Sequence, residues 1–369
     1  MRKPFCVVPF VEAFSGTNSD YRNCCATYPQ ICSLPGQTFE QWQQDPRLTE
    51  FKQRLCQDQW IDECRACEIQ EKQHGHSFRT AVNSAVEIDD VFGIWPSRWN
   101  LKFGNVCNLA CWSCSENSSS VIAHHKRQID ILPNGFVDPE KKFQKLWPQL
   151  EANILKSYDH HKTVTLTLLG GEPMFNKTVL AFLNYLIELG LAGRTRLEFH
   201  TNATLINQKL FATDQWQYVC VFLSLDAVGH KAEWLRYGCH WNEIETNVEF
   251  FKSVADYVEV HCTLGVLNIK DLPDLAEFCS AKQLPLKVMT LNSPEFMSLL
   301  AWPASPDLIA NRTQLEQFGY EQYYDIIGTN ARSDMPIKLL QHIQQFDDIR
   351  QNLMDFDPDL LHALKVSAH

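Results

Sequence analysis

Three cysteines, Cys107, Cys111 and Cys114, stand at spacings of four and three residues in the stretch Cys-Asn-Leu-Ala-Cys-Trp-Ser-Cys. A compact loop with these offsets directs three sulfurs toward one point, and thiolates select soft partners, zinc or iron–sulfur clusters. Structural zinc closes a tetrahedron with four ligands. No fourth cysteine or histidine lies close by; His124 and His125 fall on the segment that follows. A [4Fe–4S] cluster takes one cysteine per iron, so three thiols leave one iron open to an outside ligand. A reactive cluster needs such a position and an electron carrier does not.

The chain has 14 cysteines, and seven of them precede residue 70: Cys6, Cys24, Cys25, Cys32, Cys56, Cys64 and Cys67. Grouping of this kind in a reducing compartment points to metal ligation rather than disulfides. The other four, Cys220, Cys239, Cys262 and Cys279, are scattered. Cys220 and Cys262 sit in apolar β-like runs and read as small core hydrophobes.

The elements that must position these residues alternate after about residue 95. Strands are expected at Arg98–Phe103, Thr163–Leu169, Thr195–Thr201, Tyr218–Leu225, Val258–Val266 and Pro285–Leu291. Helical patterns fall at Ser115–Gln128, Thr178–Leu189 with Gly190 as its cap, Ile206–Gln215, within His230–Val254, and at Leu272–Ala281. Six strands separated by helices make a parallel α/β sheet with crossovers, a partial (β/α)6 barrel resembling a TIM barrel. The polar residues Asn105, Gly170, Gly171, Glu172, Thr201, Asn202, Ser224, Asp226 and Asn268 follow strand ends, where barrel sites are built. Residues 1–94 read as a cysteine-rich region that needs a metal staple, with Phe39–Gln53 helical. Residues 95–300 form the barrel and residues 301–369 a helical extension. The best helix there is Ile337–Phe356, with Leu339, Leu340, Ile343, Phe346, Ile349 and Leu353 on one face.

Over 369 residues, 45% hydrophobic and 21% charged is the composition of an ordinary globular protein. The formal net charge of −11 disfavours a nucleic-acid partner. The N-terminal apolar stretch is broken by Pro4, Pro9 and Glu12, so no signal peptide is expected. No run approaches the ~20 apolar residues of a membrane span, and a cytoplasmic location follows as the default.

The C-x3-C-x2-C motif, followed by Gly170-Gly171-Glu172-Pro173 after the next strand, resembles the radical S-adenosylmethionine superfamily. The resemblance implies a [4Fe–4S] cluster on Cys107, Cys111 and Cys114, and S-adenosylmethionine bound beside it. Gly170–Pro173 would hold the methionine amino group, a role their backbone freedom and the Glu172 carboxylate suit. Thr201, Asn202, Ser224, Asp226 and Arg236 would meet the ribose and the methionine carboxylate, and Val266 with Asn268 the adenine. A 5′-deoxyadenosyl radical would then take a substrate hydrogen, with an external electron donor supplying the reduced cluster.

The N-terminal cysteines resemble the auxiliary-cluster region of twitch-type, SPASM-like radical enzymes, here placed ahead of the barrel. A second [4Fe–4S] cluster would map to Cys6, Cys24 or Cys25, Cys64 and Cys67; a structural zinc on the same thiols is the plainer reading. Cys32 and Cys56 stay free, and His74 or His76 is a possible substitute ligand. Such enzymes often modify ribosomally made peptides by crosslinking, epimerisation or backbone excision, with a separate small recognition protein or direct leader binding. Others oxidise aminocyclitols or sugars. Trp302, Phe318, Tyr320, Tyr323 and Tyr324 are candidates to line a peptide groove, against an ordinary helical core. A non-catalytic iron–sulfur or zinc scaffold and a nucleic-acid-modifying enzyme are the readings from other classes.

Overall fold

The structure is a computed structural model, and it describes residues 5–15, 20–57, 59–86, 93–211, 215–302 and 312–350. Its strands, in chain order, are β1 (Glu12–Ser15), β2 (Tyr21–Arg22), β3 (Arg98–Lys102), β4 (Ala110–Cys111), β5 (Val164–Leu169), β6 (Thr195–Thr201), β7 (Tyr218–Ser224), β8 (Arg236–Tyr237), β9 (Tyr257–Leu264) and β10 (Leu286–Thr290). Eight of them form one sheet in the order β10-β9-β7-β6-β5-β3-β1-β2, parallel except for β2. The six expected strands are its first six members, so the α/β partial barrel stands. The cysteine-rich segment adds β1, a further parallel strand paired with β3 from Glu12 opposite Arg98 to Ser15 opposite Leu101.

Register fixes which face each residue takes, because side chains alternate along a strand. Trp99, Thr195, Leu197 and Phe199 turn toward the helices: the Trp99 indole donates to Ser157 at 2.9 Å and the Tyr158 and Thr195 hydroxyls pair at 2.6 Å. Both partners lie on Pro139–His160, the longest helix, which the sequence expectations lack. Pro148 and many charged residues interrupt its period, yet Phe143, Trp147, Leu150 and Ile154 form a buried stripe. Burying each such side chain contributes about 1.5–3 kcal/mol.

The opposite face is polar. Glu12, Arg98, Thr165, Arg196 and Tyr218 form one cross-strand row, and Asn100, Thr167, Glu198 and Cys220 the next. Beyond them come Lys102 with Leu169, then His200, Phe222 and Glu259, and finally Ser224, His261 and Lys287. A closed barrel fills this space with apolar layers; here ion pairs Arg98–Glu12 (3.6 Å), Arg98–Glu198 (3.4 Å) and His261–Glu259 (2.8 Å) line it. Cys262 is core as expected, whereas Cys220 is buried on this polar face beside Glu198.

Other expectations change. The helix after the cysteine loop begins at Ser120, not Ser115, because Ser119 caps it by accepting from the Ile122 N–H. In the expected helix Ile206–Gln215, the described part is a turn. Asn207 Oδ1 accepts from the Leu210 N–H, and the Trp216 indole takes the Leu210 carbonyl that a continuing helix would use; residues 212–214 lie outside the described residues. The segment Phe39–Gln53 is two helices, Phe39–Gln43 and Pro46–Leu55, divided at Asp45-Pro46. In the extension, Met335–Gln344 is helical, and Leu353 lies outside the described residues.

Four of the five C-terminal aromatics are engaged within the fold. Trp302 and Tyr324 are buried in the core. Tyr320 and Tyr323 donate their hydroxyls to the Leu286 and Val288 carbonyls at 2.8 and 2.9 Å, covering the open edge of β10, which would otherwise invite another strand. Among the described residues, no helix is long and apolar enough to cross a membrane.

Candidate active site

The cysteine loop leaves β3 through Gly104 and Asn105 and is held from three sides. Its short strand β4 pairs antiparallel with β8, setting Cys111 opposite Arg236. From the end of β5, the Glu172 N–H donates to the Val106 carbonyl at 2.8 Å. From the end of β6, the Asn202 amide donates to Asn108 Oδ1 at 2.9 Å, and the Asn108 amide donates to the Thr204 hydroxyl at 2.8 Å. Asn108 lies between the first two cysteines, so the loop is fastened at the point where thiol placement is decided.

The two glycines make the β5 contact possible. Gly170 and Gly171 have φ of +82° and +54°, and a Cβ on Gly171 would lie 2.1 Å from the Val106 carbonyl oxygen. A Cβ on Gly170 would lie 2.6 Å from the Lys102 side chain. The Gly-Gly pair therefore lets two backbones touch, a use as strong as the expected approach to a ligand.

Glu172 is held by its own neighbours. Its carboxylate is buried and accepts from the Met174 N–H (3.0 Å), the Asn202 N–H (2.7 Å) and the Thr201 hydroxyl (2.9 Å). Burial raises its pKa to about 7. It ties the ends of β5 and β6 together, and Thr201 is part of that knot. Pro173 is buried behind it.

A cavity of about 360 Å³ opens at this rim, lined by Cys107, Cys111, Cys114, Gly170, Gly171, Thr201, Asn202, Ser224 and Arg236 together with Lys102 and His200. The three thiols thus share one wall. Burial raises Cys107 to about 12. A hydrogen bond with Cys114 pushes Cys111 up and draws Cys114 down; Cys114 is exposed. Metal binding must release the protons these thiols hold. Arg236 is paired with buried Asp226 at 2.8 Å and reaches the Cys111 sulfur at 3.9 Å.

Besides Glu172 and Pro173, three expected residues sit outside the large cavity. Asp226 and Asn268 line a small void beside it, with Trp112, Ser113 and Leu267. Asn268 closes its own loop, accepting from the Gly265 N–H and donating to the Asp226 and Thr263 carbonyls. Val266 is buried, its N–H donated to the Met297 carbonyl at 3.0 Å. The sequence expectations lack Lys102 and His200. The alternation of β3 and β6 held the signal, since both share the polar parity with Arg98 and Glu198.

The N-terminal thiols form a second gathering. Cys6, Cys24, Cys64 and Cys67 line one small void with Phe51, Leu55, Phe78 and Arg79. Cys25 is exposed and does not line it, its thiol hydrogen-bonded to that of Cys24, Cys32 and Cys56 are absent from it, and His76 is exposed; the His74 side chain lies outside the described residues. Among the described residues, no three Cys, His, Asp or Glu side chains are gathered closely enough to hold a single metal ion. Zinc at ~2.3 Å from each sulfur demands that closeness, whereas a four-iron cluster spreads its thiolates apart. With three thiols, one short of zinc's four, the Cys107, Cys111 and Cys114 set suits a cluster with one iron left open.

Residues 101–279, just under half of the chain, match the family model described as Radical SAM superfamily. No curated protein matches the chain. Among solved structures it is similar to one described as native anSMEcpe with bound AdoMet, at 18% identity over 64% of this chain and 65% of that one, with a TM-score of 0.42. It is also similar to Streptococcus suis SuiB bound to S-adenosylmethionine, at 16% identity over 74% and 50% of the two chains, with a TM-score of 0.39. The chain spans about two thirds of the first structure's length and half of the second's.

Proposed function

We propose that this chain is a radical S-adenosylmethionine enzyme whose Cys107, Cys111 and Cys114 hold a [4Fe–4S] cluster, with cofactor and substrate meeting in the cavity beside them. The observation that carries this reading is the shared cavity: three thiols, the Gly170-Gly171 backbone, Asn202, Ser224 and Arg236 line one space at the carboxyl ends of parallel strands. When bound, a cluster with one open iron supplies the electron that cleaves the sulfonium. The chain's own residues aim and enclose. Asn202, Asn108 and the Glu172 backbone fix the cysteine loop, and the Arg236–Asp226 pair sets a compensated cation beside Cys111.

Cys6, Cys24, Cys64 and Cys67 are the ligands we assign to an auxiliary [4Fe–4S] cluster, with Cys24 in place of Cys25 because Cys24 alone of the pair faces the void. The substrate we assign is polar and lies on the inner face carrying Arg98, Asn100, Lys102, Glu198 and His200. A ribosomally made peptide fits that assignment through a side chain or short segment placed on this face, without the C-terminal groove.

The test is anaerobic reconstitution of the full chain, with dithionite and S-adenosylmethionine added and 5′-deoxyadenosine measured. Product formation that Cys107→Ala, Cys111→Ala and Cys114→Ala each abolish supports the reading. Absence of product from wild type that has retained its iron sinks it.

A further inference from the structure

Two cations line the large cavity, Lys102 and Arg236. Arg236 is compensated, since its guanidinium lies 2.8 Å from the Asp226 carboxylate. Lys102 is not: among the described residues no carboxylate pairs with it. Its charged neighbours are Arg22, whose guanidinium is held by Asp20 and Gln30, and the Cys114 thiol. The other polar groups of the cavity do not supply a counter-charge. Glu172 is enclosed by its three donors. His200 is packed against Phe222 and His261 with ring centroids 4.7 and 5.1 Å apart, and burial keeps it neutral.

The Lys102 stem is fixed as well. Its backbone N–H donates to the Ser15 hydroxyl at 3.1 Å, and its side chain runs against Gly170, where a Cβ would meet it at 2.6 Å. The ammonium thus belongs to the cavity rather than to solvent. A half-buried cation without a partner is costly, and a ligand bringing an apolar or cationic group beside it would raise that cost. An anionic group removes it with a charge-assisted hydrogen bond.

We propose that Lys102 is the anion-binding residue of this cavity and takes a carboxylate there. The carboxylate belongs either to the substrate or to the methionine half of the cofactor; the second source rests on the function proposed above. Two arms separate them. In the first, dissociation constants of S-adenosylmethionine and of its decarboxylated form are measured for the reconstituted wild type, Lys102→Met and Lys102→Arg. A cofactor carboxylate at Lys102 gives about tenfold or greater weakening of S-adenosylmethionine in Lys102→Met. The decarboxylated form is then unaffected, and Lys102→Arg stays near wild type. In the second, an amine-reactive reagent modifies wild-type Lys102 with and without succinate as the probe anion, followed by peptide mass spectrometry.

A substrate carboxylate site gives at least about fivefold slowing by succinate, with the S-adenosylmethionine affinity of Lys102→Met unchanged. Neither effect, or equal weakening of both cofactor forms, overturns the proposal. Iron content and visible spectrum verify each variant, and Lys102→Gln replaces Lys102→Met if the latter fails to load iron. If the wild type binds no S-adenosylmethionine, the proposed function falls, while the succinate arm on the unloaded chain still decides Lys102.

Discussion

Gly171→Ala isolates the contact on which the cysteine loop depends. Its Cβ would lie 2.1 Å from the Val106 oxygen and 2.8 Å from the Val106 carbon, both backbone atoms. Reaching ordinary contact requires the loop to move by roughly 1 Å, and the adjacent Glu172 N–H to Val106 carbonyl bond opens with it. The left-handed backbone costs about 1–2 kcal/mol for any L side chain and the lost hydrogen bond about 1 kcal/mol. Gly190→Ala supplies the control: its φ is +69° and nothing lies within 4 Å of the added Cβ, so only the backbone cost applies. The assay compares thermal stability, iron and sulfide per chain, and 5′-deoxyadenosine yield after anaerobic reconstitution. Gly190→Ala is expected to lose stability alone. Gly171→Ala is expected to lose product formation by about a hundredfold, since a displacement near 1 Å of a reacting group costs on that order. If Gly171→Ala loads iron and forms product as Gly190→Ala does, the interlock between β5 and the cysteine loop is not what positions the thiols.

Cys24→Ser is expected to lose the iron of the N-terminal site while Cys25→Ser keeps it, read by iron analysis and by spectra of the reconstituted proteins. Glu12 is buried and shares Arg98 with Glu198, and burial raises its pKa from 4.5 to about 7. Ionising it therefore destabilises the native state above pH 7, and the penalty is relieved as pH falls toward 4.5. Glu12→Gln should be more stable than wild type at pH 8 and lose that advantage by pH 5, measured as melting temperature against pH. Tyr320→Phe and Tyr323→Phe each remove a hydroxyl that caps an edge carbonyl. Each should cost about 1 kcal/mol in chemical denaturation, and the double variant should scatter more light as the β10 edge is uncovered.

The strands were legible because five of the six are strongly apolar or alternating, and their order followed from the crossover rule. β1 was not: four residues, Glu-Ala-Phe-Ser, carry too little pattern, and its place comes from pairing with β3. The helix Pro139–His160 was hidden by Pro148 and its lysines, although its buried stripe was present. In the site, residue types were legible and their partners were not. Glu172 reads as a ligand to an ammonium, yet three local donors take it, because the strand ends lie close enough for β6 to use it. Thr201 and Asn202 were expected at the cofactor; both line the large cavity, and their hydrogen bonds to Glu172 and Asn108 also tie the strand ends to the cysteine loop. Lys102 went unread because a single lysine in a strand looks like a solvated edge until register turns it inward.

Register also gives the two thiol gatherings a common frame. The Cys107 loop leaves β3 at its carboxyl end, above Lys102. Cys6 precedes β1 and Cys24 follows β2, which runs antiparallel to it, so both lie at the opposite end, near Glu12. The rows between them hold alternating charge, from Glu12, Arg98 and Glu198 up to Lys102, and no apolar layer closes the space. A group on this face would stand between the two thiol sets. The same polar lining argues against a purely structural role for either thiol set. A staple needs only to bring segments together, and a fold kept for stability alone gains more from apolar residues in the barrel than from buried ion pairs, whose desolvation cost often exceeds their attraction.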